Sequence, residues 1–257
     1  MVKKNKIRRL CILVTILPLL VNSNGRKDLH TSSTGTLKIT FQNTVKGSSL
    51  ALNSAVYTNL FSEQYTVTKF KYYISHVSIS GKASLAHENN SYHLIDEKLT
   101  SSRSFSFTCK QGTYETLDFM IGVDSLHNVS GAQTGALDPM NDMFWTWNTG
   151  YVMAKMEGNS PQSTIVNNKV EYHIGGFSGV NSVLKMIRLS LSSIKPLLIH
   201  NGRTSEIFID ADLDKWWQSP NDLRIANTPA CTGPGSLARM IADNYSKMFT
   251  IKNVVNR

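Results

Sequence analysis

Short segments in which apolar and polar residues alternate follow one another along most of the chain, and a period of two marks strands with one buried face. In "TLKITFQNTV" (36–45), Leu37, Ile39 and Phe41 fall on one side, with Lys38, Thr40 and Gln42 on the other. "KFKYYISHVSIS" (69–80), "SYHLIDE" (91–97), "SFSFTC" (104–109), "YETLDFMIGV" (114–123), "KVEYHIGGF" (169–177) and "VLKMIRLSLSS" (183–193) read alike. Gly, Asn, Ser and Asp separate them, and Asn201-Gly202 lies between two such runs, so Leu197 to Leu213 is expected to form a hairpin. Nine or ten strands without helices between them predict an all-β antiparallel sandwich. The pattern changes near the end. "DKWWQSP" reads as one helical turn stopped by Pro220, and "GSLARMIADNYSKMF" (235–249) carries Leu237, Ile241, Tyr245 and Met248 at helical spacing behind Ser236 as N-cap. A C-terminal helix packed on the sandwich is expected.

At 257 residues, 41% of them hydrophobic, the chain suffices for one well-buried domain. Five Lys or Arg in positions 3 to 9, an apolar run from Leu10 to Val21 and then small polar residues form a secretory signal-peptide pattern over 1–24. The run is shorter than the roughly 20 residues that cross a bilayer. A linker (25–35) then leads to a single domain over 36–257. Cys11 lies inside the apolar run and not after it, which favours a soluble exported protein of the periplasm or cell surface over a lipid-anchored or integral membrane one. Without the five leader charges the net charge falls from +9 to +4, and the remaining basic residues form no stripe, so nucleic-acid binding loses its ground. Two cysteines remain, Cys109 and Cys231. An oxidising compartment permits a disulfide, worth about 4 kcal/mol in the chain-entropy view; two separately buried thiols are the alternative.

No His-Glu-x-x-His, phosphate-binding Gly loop or Gly-x-Ser-x-Gly elbow is present, which leaves a hydrolase without a motif. Asp210, Asp212 and Asp214 stand at strand spacing, but the Gly and distal Glu of a helix-loop-helix calcium site are missing. Three of the seven histidines have a distinctive context. His93 alternates with Tyr92 and Leu94, His127 opens a long Gly- and Asn-rich segment after an apolar strand, and His173 precedes paired glycines. Imidazoles from separate strands suit copper, zinc, iron or nickel. "MNDMFWTWNTGYVMAKMEG" (140–158) adds Trp145 and Trp147, two residues apart and on one face if the chain is extended, either as a core strand or as part of a site. Trp145, Trp147, Trp216 and Trp217 are also candidate stacking platforms for a carbohydrate or another cell-surface ligand.

"YTVTKFKYYISHVSI", "YHLIDE", "FMIGVDSLHNVSGAQTGALDPMNDMFWTWNTGYVMAKMEG" and "EYHIGGFSG" together closely resemble the MbnP-like family, in its broad Bacteroidetes-type branch. The resemblance covers about Leu37 to Phe249 and is strongest from Ile121 to Phe177. It implies an exported β-sandwich, not an enzyme, that binds copper through histidines and works beside copper-uptake machinery. It also implies a tryptophan that a partner di-haem protein of the cytochrome c peroxidase type oxidises to kynurenine. Matched by motif, His127, His173 and His93 are the implied ligands, and Trp145 and Trp147 the implied metal-adjacent aromatics. One departure is plain: the methanobactin-linked members carry a cysteine after the HLGS block, where this chain has "GGFSGV".

Overall fold

The computed structural model of the protein describes residues 33–147 and 150–257. The expected leader (1–24), most of the linker and His30 lie outside the described residues. Ten strands of five residues or more build two packed sheets: β1 (Thr34–Val45), β2 (Gln64–Ser80), β3 (Tyr92–Asp96), β4 (Ser104–Lys110), β5 (Thr116–Ile121), β6 (Gly150–Asn159), β7 (Lys169–Gly175), β8 (Lys185–Ser190), β9 (Thr204–Asp212) and β10 (Phe249–Val255). The all-β sandwich with a helix near its C-terminus is therefore the observed architecture. Among the described residues no helix is long and apolar enough to cross a membrane.

The smaller sheet runs β10-β9-β1, with β4 and Ser48–Ser49 on the far edge of β1. Its central pair, β1 and β9, is parallel, from Thr36 opposite Thr204 to Thr44 opposite Asp212. Alternation along each strand marks the buried face but says nothing of the partner or its direction. The expected hairpin is the clearest casualty. The turn at Asn201-Gly202 exists, with Gly202 at φ 68°, but its arms go to different neighbours: Leu197–Ile199 pairs with Gly112–Tyr114, and β9 with β1 and β10. Gly35 explains the tight approach at this corner, since a Cβ there would stand 2.3 Å from the His200 carbonyl oxygen.

The larger sheet is organised along β2, whose 17 residues serve several partners. Tyr72 faces Ile95 of β3 on one edge and Ala154 of β6 on the other, whereas Ile74 faces His93 of β3 and Ile121 of β5. One edge of β2 thus passes from β6 to β5 within two residues. The register with β5 shifts between Ser75 and Ser78, and His76 has φ 53°. That is a β-bulge, which turns inward-pointing residues from even positions (Phe70, Tyr72, Ile74) to odd ones (Val77, Ile79).

The core lies between the sheets. Leu37, Ile39 and Phe41 meet Phe70, Tyr72 and Phe119, all nearly inaccessible to solvent, and the Phe41 ring sits edge-on to Tyr72, Phe119 and Phe249. Each large side chain so buried contributes about 1.5–3 kcal/mol. Helix α2 (Ser236–Tyr245) is shorter than its sequence pattern, and its N-cap is Gly235 instead of Ser236. It buries Ala238, Ile241, Ala242 and Tyr245, and the chain beyond it becomes β10, a strand the helical spacing of Met248 conceals.

Candidate functional site

Where β2 changes partner, the chain leaving β5 has to cross the outer face of the sheet. Gly122, at φ 119° and with Leu184 Cδ2 2.6 Å from where a Cβ would be, makes the turn. Asp124 then N-caps the short helix α1 (Ser125–Val129), accepting from the His127 amide at 3.0 Å. Buried Asn128 donates to the carbonyls of Val123 and Asp124 and accepts from Tyr151 N at 2.9 Å, which fastens α1 to β6. Farther on, Tyr73 and Tyr151 donate their hydroxyls to the carbonyls of Ala136 (3.0 Å) and Leu137 (2.7 Å), and Lys71 donates to Asn141 O. The Gly- and Asn-rich segment is a cover tied to the sheet.

Two histidine–carboxylate groups lie on this covered face. In the first, the His127 Nδ1 lies 2.6 Å from Tyr92 Oη and 3.1 Å from both oxygens of Asp124, and Tyr92 Oη donates to Asp124 Oδ2. Burial alone would raise the Asp124 carboxyl, but hydrogen bonds from Tyr92 and His127 bring it down to about 2. Burial, then Asp124, pushes the Tyr92 phenol well up. A carboxylate that only accepts assigns the proton of neutral His127 to Nδ1, which leaves the lone pair on Nε2, and Nε2 makes no hydrogen bond among the described residues. His76, from the bulge, brings Nε2 to 3.8 Å from Asp124 Oδ2 and Nδ1 to 3.1 Å from Ser75 Oγ. His76, His87, His127, Asp124 and Tyr92 line one cavity of about 490 Å³. Ser91 also lines it, and its hydroxyl is buried with no protein partner.

The second group centres on Lys155, whose side chain is 4% exposed and whose ammonium binds the Asp142 carbonyl and, at 3.0 Å, Asp142 Oδ1. Lys69 Nζ reaches Asp142 at 2.6 Å and Glu157 at 3.2 Å. His173, across the ladder from Lys155, spends its Nε2 on Glu157 Oε1 at 2.9 Å. The His173 hydrogen bond, working against burial and helped by Lys69, lowers the Glu157 carboxyl to about 2. Burial would raise Asp142, yet bonds from Lys69 and Lys155 hold it below the usual range. Burial depresses Lys155 despite Asp142.

The three histidines singled out from the sequence therefore do not share a site. His127 lines the cavity. His93, one residue from Tyr92, points to the opposite face of β3, where its ring stacks on Phe105 (3.5 Å between centroids) and its Nε2 donates to Glu88 at 2.9 Å. His173 belongs to the lysine network. Among the described residues no three His, Cys, Asp or Glu side chains converge closely enough to hold a metal ion as they stand. His76 and His87 were missed, although the change of parity between Ile74 and Val77 is visible in "YYISHVSIS" and marks the bulge at His76.

Trp145 and Trp147 do not share a face. Phe144–Trp145 pairs with Tyr151 and Gly150, so the chain turns back and leaves Trp147 67% exposed while Trp145 is buried. The rings remain 5.3 Å apart, Trp145 lies over Gly175, and neither ring lines the histidine cavity. Trp216 and Trp217 are in the core, against Tyr245 and Tyr65, which removes them as ligand platforms. Cys109 and Cys231 are free buried thiols and form no disulfide: Cys109 lies beside Gly35 in the smaller sheet and Cys231 beside Tyr172 in the larger. Burial raises both.

A profile of the MbnP family matches residues 34–233. No curated protein sequence matches the chain significantly. Among solved structures, MbnP from Methylosinus trichosporium is similar, with a TM-score of 0.45 and 14% identity, over 79% of this chain and 82% of that one.

Proposed function

From the membership of this chain in the MbnP family, we propose that it is an exported copper-binding protein whose metal is held in the cavity at the partner switch of β2. Within the family we assign it to the Bacteroidetes-type branch, since this chain has "GGFSGV" where the methanobactin-linked members carry a cysteine. The observation that carries the proposal is His127, held through Nδ1 by Asp124 and Tyr92 with Nε2 left open, beside His76 and His87. Carboxylate-oriented imidazole is the usual support of a protein metal ligand.

His127 and His76 are the principal ligands, His87 supplies a third imidazole from the cavity wall, and the partnerless Ser91 hydroxyl is available to a bound water or anion. An imidazole and oxygen donor set with neither thiolate nor thioether suits copper in its divalent form. His93 and His173 have their Nε2 atoms committed to Glu88 and Glu157 and are not ligands in this reading. Export rests on the leader pattern of residues 1–24. The protein binds and hands over copper to uptake machinery and is not itself an enzyme. Trp147, the exposed member of its pair, is the residue a di-haem peroxidase-like partner oxidises to kynurenine.

Metal analysis of protein recovered from the periplasm, with peptide mapping of 140–158, tests both parts. Stoichiometric copper is expected in the wild type and in His93→Ala and His173→Ala, and none in the His76→Ala/His127→Ala double variant. Undiminished copper in the double variant would refute the site, and unmodified Trp147 after coexpression with the haem partner would refute the modification.

A further inference from the structure

Glu88, Asn89, Asn90 and Ser91 line the histidine cavity as four consecutive residues, directly after His87. They join two stretches paired to the same edge of β2: Leu85–His87, with His87 opposite Ser78, and β3, with Tyr92 opposite Ser75. Only His76 and Val77 of β2 stand against these four residues, so the segment leaves the ladder as a bulge, with Asn90 at φ 48°. It is tied at its first residue. Glu88 N donates to Val77 O at 2.9 Å, and the Glu88 carboxylate accepts from His93 Nε2 at 2.9 Å. Among the described residues this is the only hydrogen bond made by a side chain of the segment.

His93 is well placed to hold such a tie. Its ring lies parallel to that of Phe105, 3.5 Å between centroids, and Phe105 stacks in turn on Phe41 of the core at 6.2 Å. The His93 and Glu88 side chains are 21% and 12% exposed, so water competes weakly for their bond. Neighbours in β3 thus reach the cavity from opposite faces of the sheet: Tyr92 through Asp124 and His127, His93 through Glu88. The bond of His173 to Glu157 has the same chemistry, but neither of those residues lines the cavity. Without His93, the Glu88 carboxylate would lose its donor, and the chain leaving His87 its side-chain tie.

We propose that His93 is a positioning residue of the copper site: through Glu88 it fixes the Glu88–Ser91 wall, and with it His87, from the inner side of the sheet. This role rests on the copper reading of the cavity, and the full-chain protein is tested with and without metal. In metal-free protein the amide of residue 88 is expected to lose protection from hydrogen exchange in His93→Ala and in Glu88→Ala, and to keep it in His93→Gln, whose side-chain amide still donates to Glu88. With copper, His93→Ala is expected to keep the stoichiometry, weaken binding about 10-fold in a competition titration and change the electron paramagnetic resonance spectrum of the divalent ion. His93→Gln is expected to restore both. If His93→Ala does not fold, Glu88→Ala, altered in an edge loop outside the core, carries the exchange measurement. Unchanged protection at residue 88 in the alanine variants would overturn the proposal. So would copper held by His93→Ala as tightly as by the wild type, or more tightly, the result expected of a Glu88 freed to act as a ligand. A wild type that takes up no copper would instead overturn the reading of the cavity, and the exchange measurement would still decide whether His93 holds its wall.

Discussion

The two histidine–carboxylate groups on the outer face of the larger sheet differ in which ring nitrogen the carboxylate takes. Glu157 occupies Nε2 of His173 and is itself claimed by Lys69, so positive and negative groups there answer one another across β2, β6, β7 and the cover. Asp124 occupies Nδ1 of His127, no lysine approaches it among the described residues, and an open Nε2 faces a cavity with two more imidazoles. The same residue types make a tie in one place and, in the proposed site, a ligand in the other. What separates them is the local supply of lysine and the nitrogen left over.

The largest expected effect falls on the tie. Asp142→Ala strips Lys155 of its nearest carboxylate while the ammonium stays buried, and should cost about 2–3 kcal/mol in urea unfolding, less than a fully buried pair because Asp142 is 56% exposed and Glu157 remains 3.9 Å away, with copper stoichiometry unchanged. A comparable loss of copper would mean that the two groups are one site. Acid comes next. Asp124 and Glu157 have folded-state values near 2, below their unfolded ones, so each adds stability that is fully present above about pH 5 and is lost as pH falls through about 2. On the order of 2 kcal/mol from each is expected between pH 5 and 2, measured by urea unfolding of the metal-free protein. Asp124→Asn should cost about 2 kcal/mol of stability at neutral pH, the same carboxylate contribution that acid removes, with α1 still capped by the asparagine, and should weaken copper binding by about 10- to 100-fold in a competition titration. Equal affinity would erase the distinction between the groups. Smallest of all, His173→Gln keeps a donor for Glu157 and should change stability by less than about 1 kcal/mol and copper binding not at all.

Much of the sandwich can be read from alternation, since Leu37, Ile39 and Phe41 or Ile207 and Ile209 bury one side of a strand in any partner arrangement. The pairing of β1 with β9 cannot, because their partnership is a property of the assembled sheets. The Asn-Gly signal at 201–202 identified a true turn and misled about its arms for the same reason. At the site, the Gly- and Asn-rich context singled out His127, which the structure sets on the short helix α1 at the start of that segment. His93 and His173 were chosen on equally good local grounds, and only the assembled sheets turn His93 toward Phe105 and bring Glu88 and Glu157 to the Nε2 atoms of the two rings. The shared face of Trp145 and Trp147 requires an extended chain, and the pairing of Trp145 with Gly150 bends it, leaving Trp147 to solvent.

The parallel pairing of β1 with β9 also orders events in time. Thr36 meets Thr204 only after all six long strands of the larger sheet have been made, so β1 has to wait, unpaired along that edge, for a neighbour 168 residues away. Such separations slow the search for the native state. The long strands of the larger sheet pair across shorter separations than that, so this sheet can form first and offer its apolar face as a template. The smaller sheet then closes late, and a nascent or truncated chain that stops before β9 would leave a long sticky edge open to other chains.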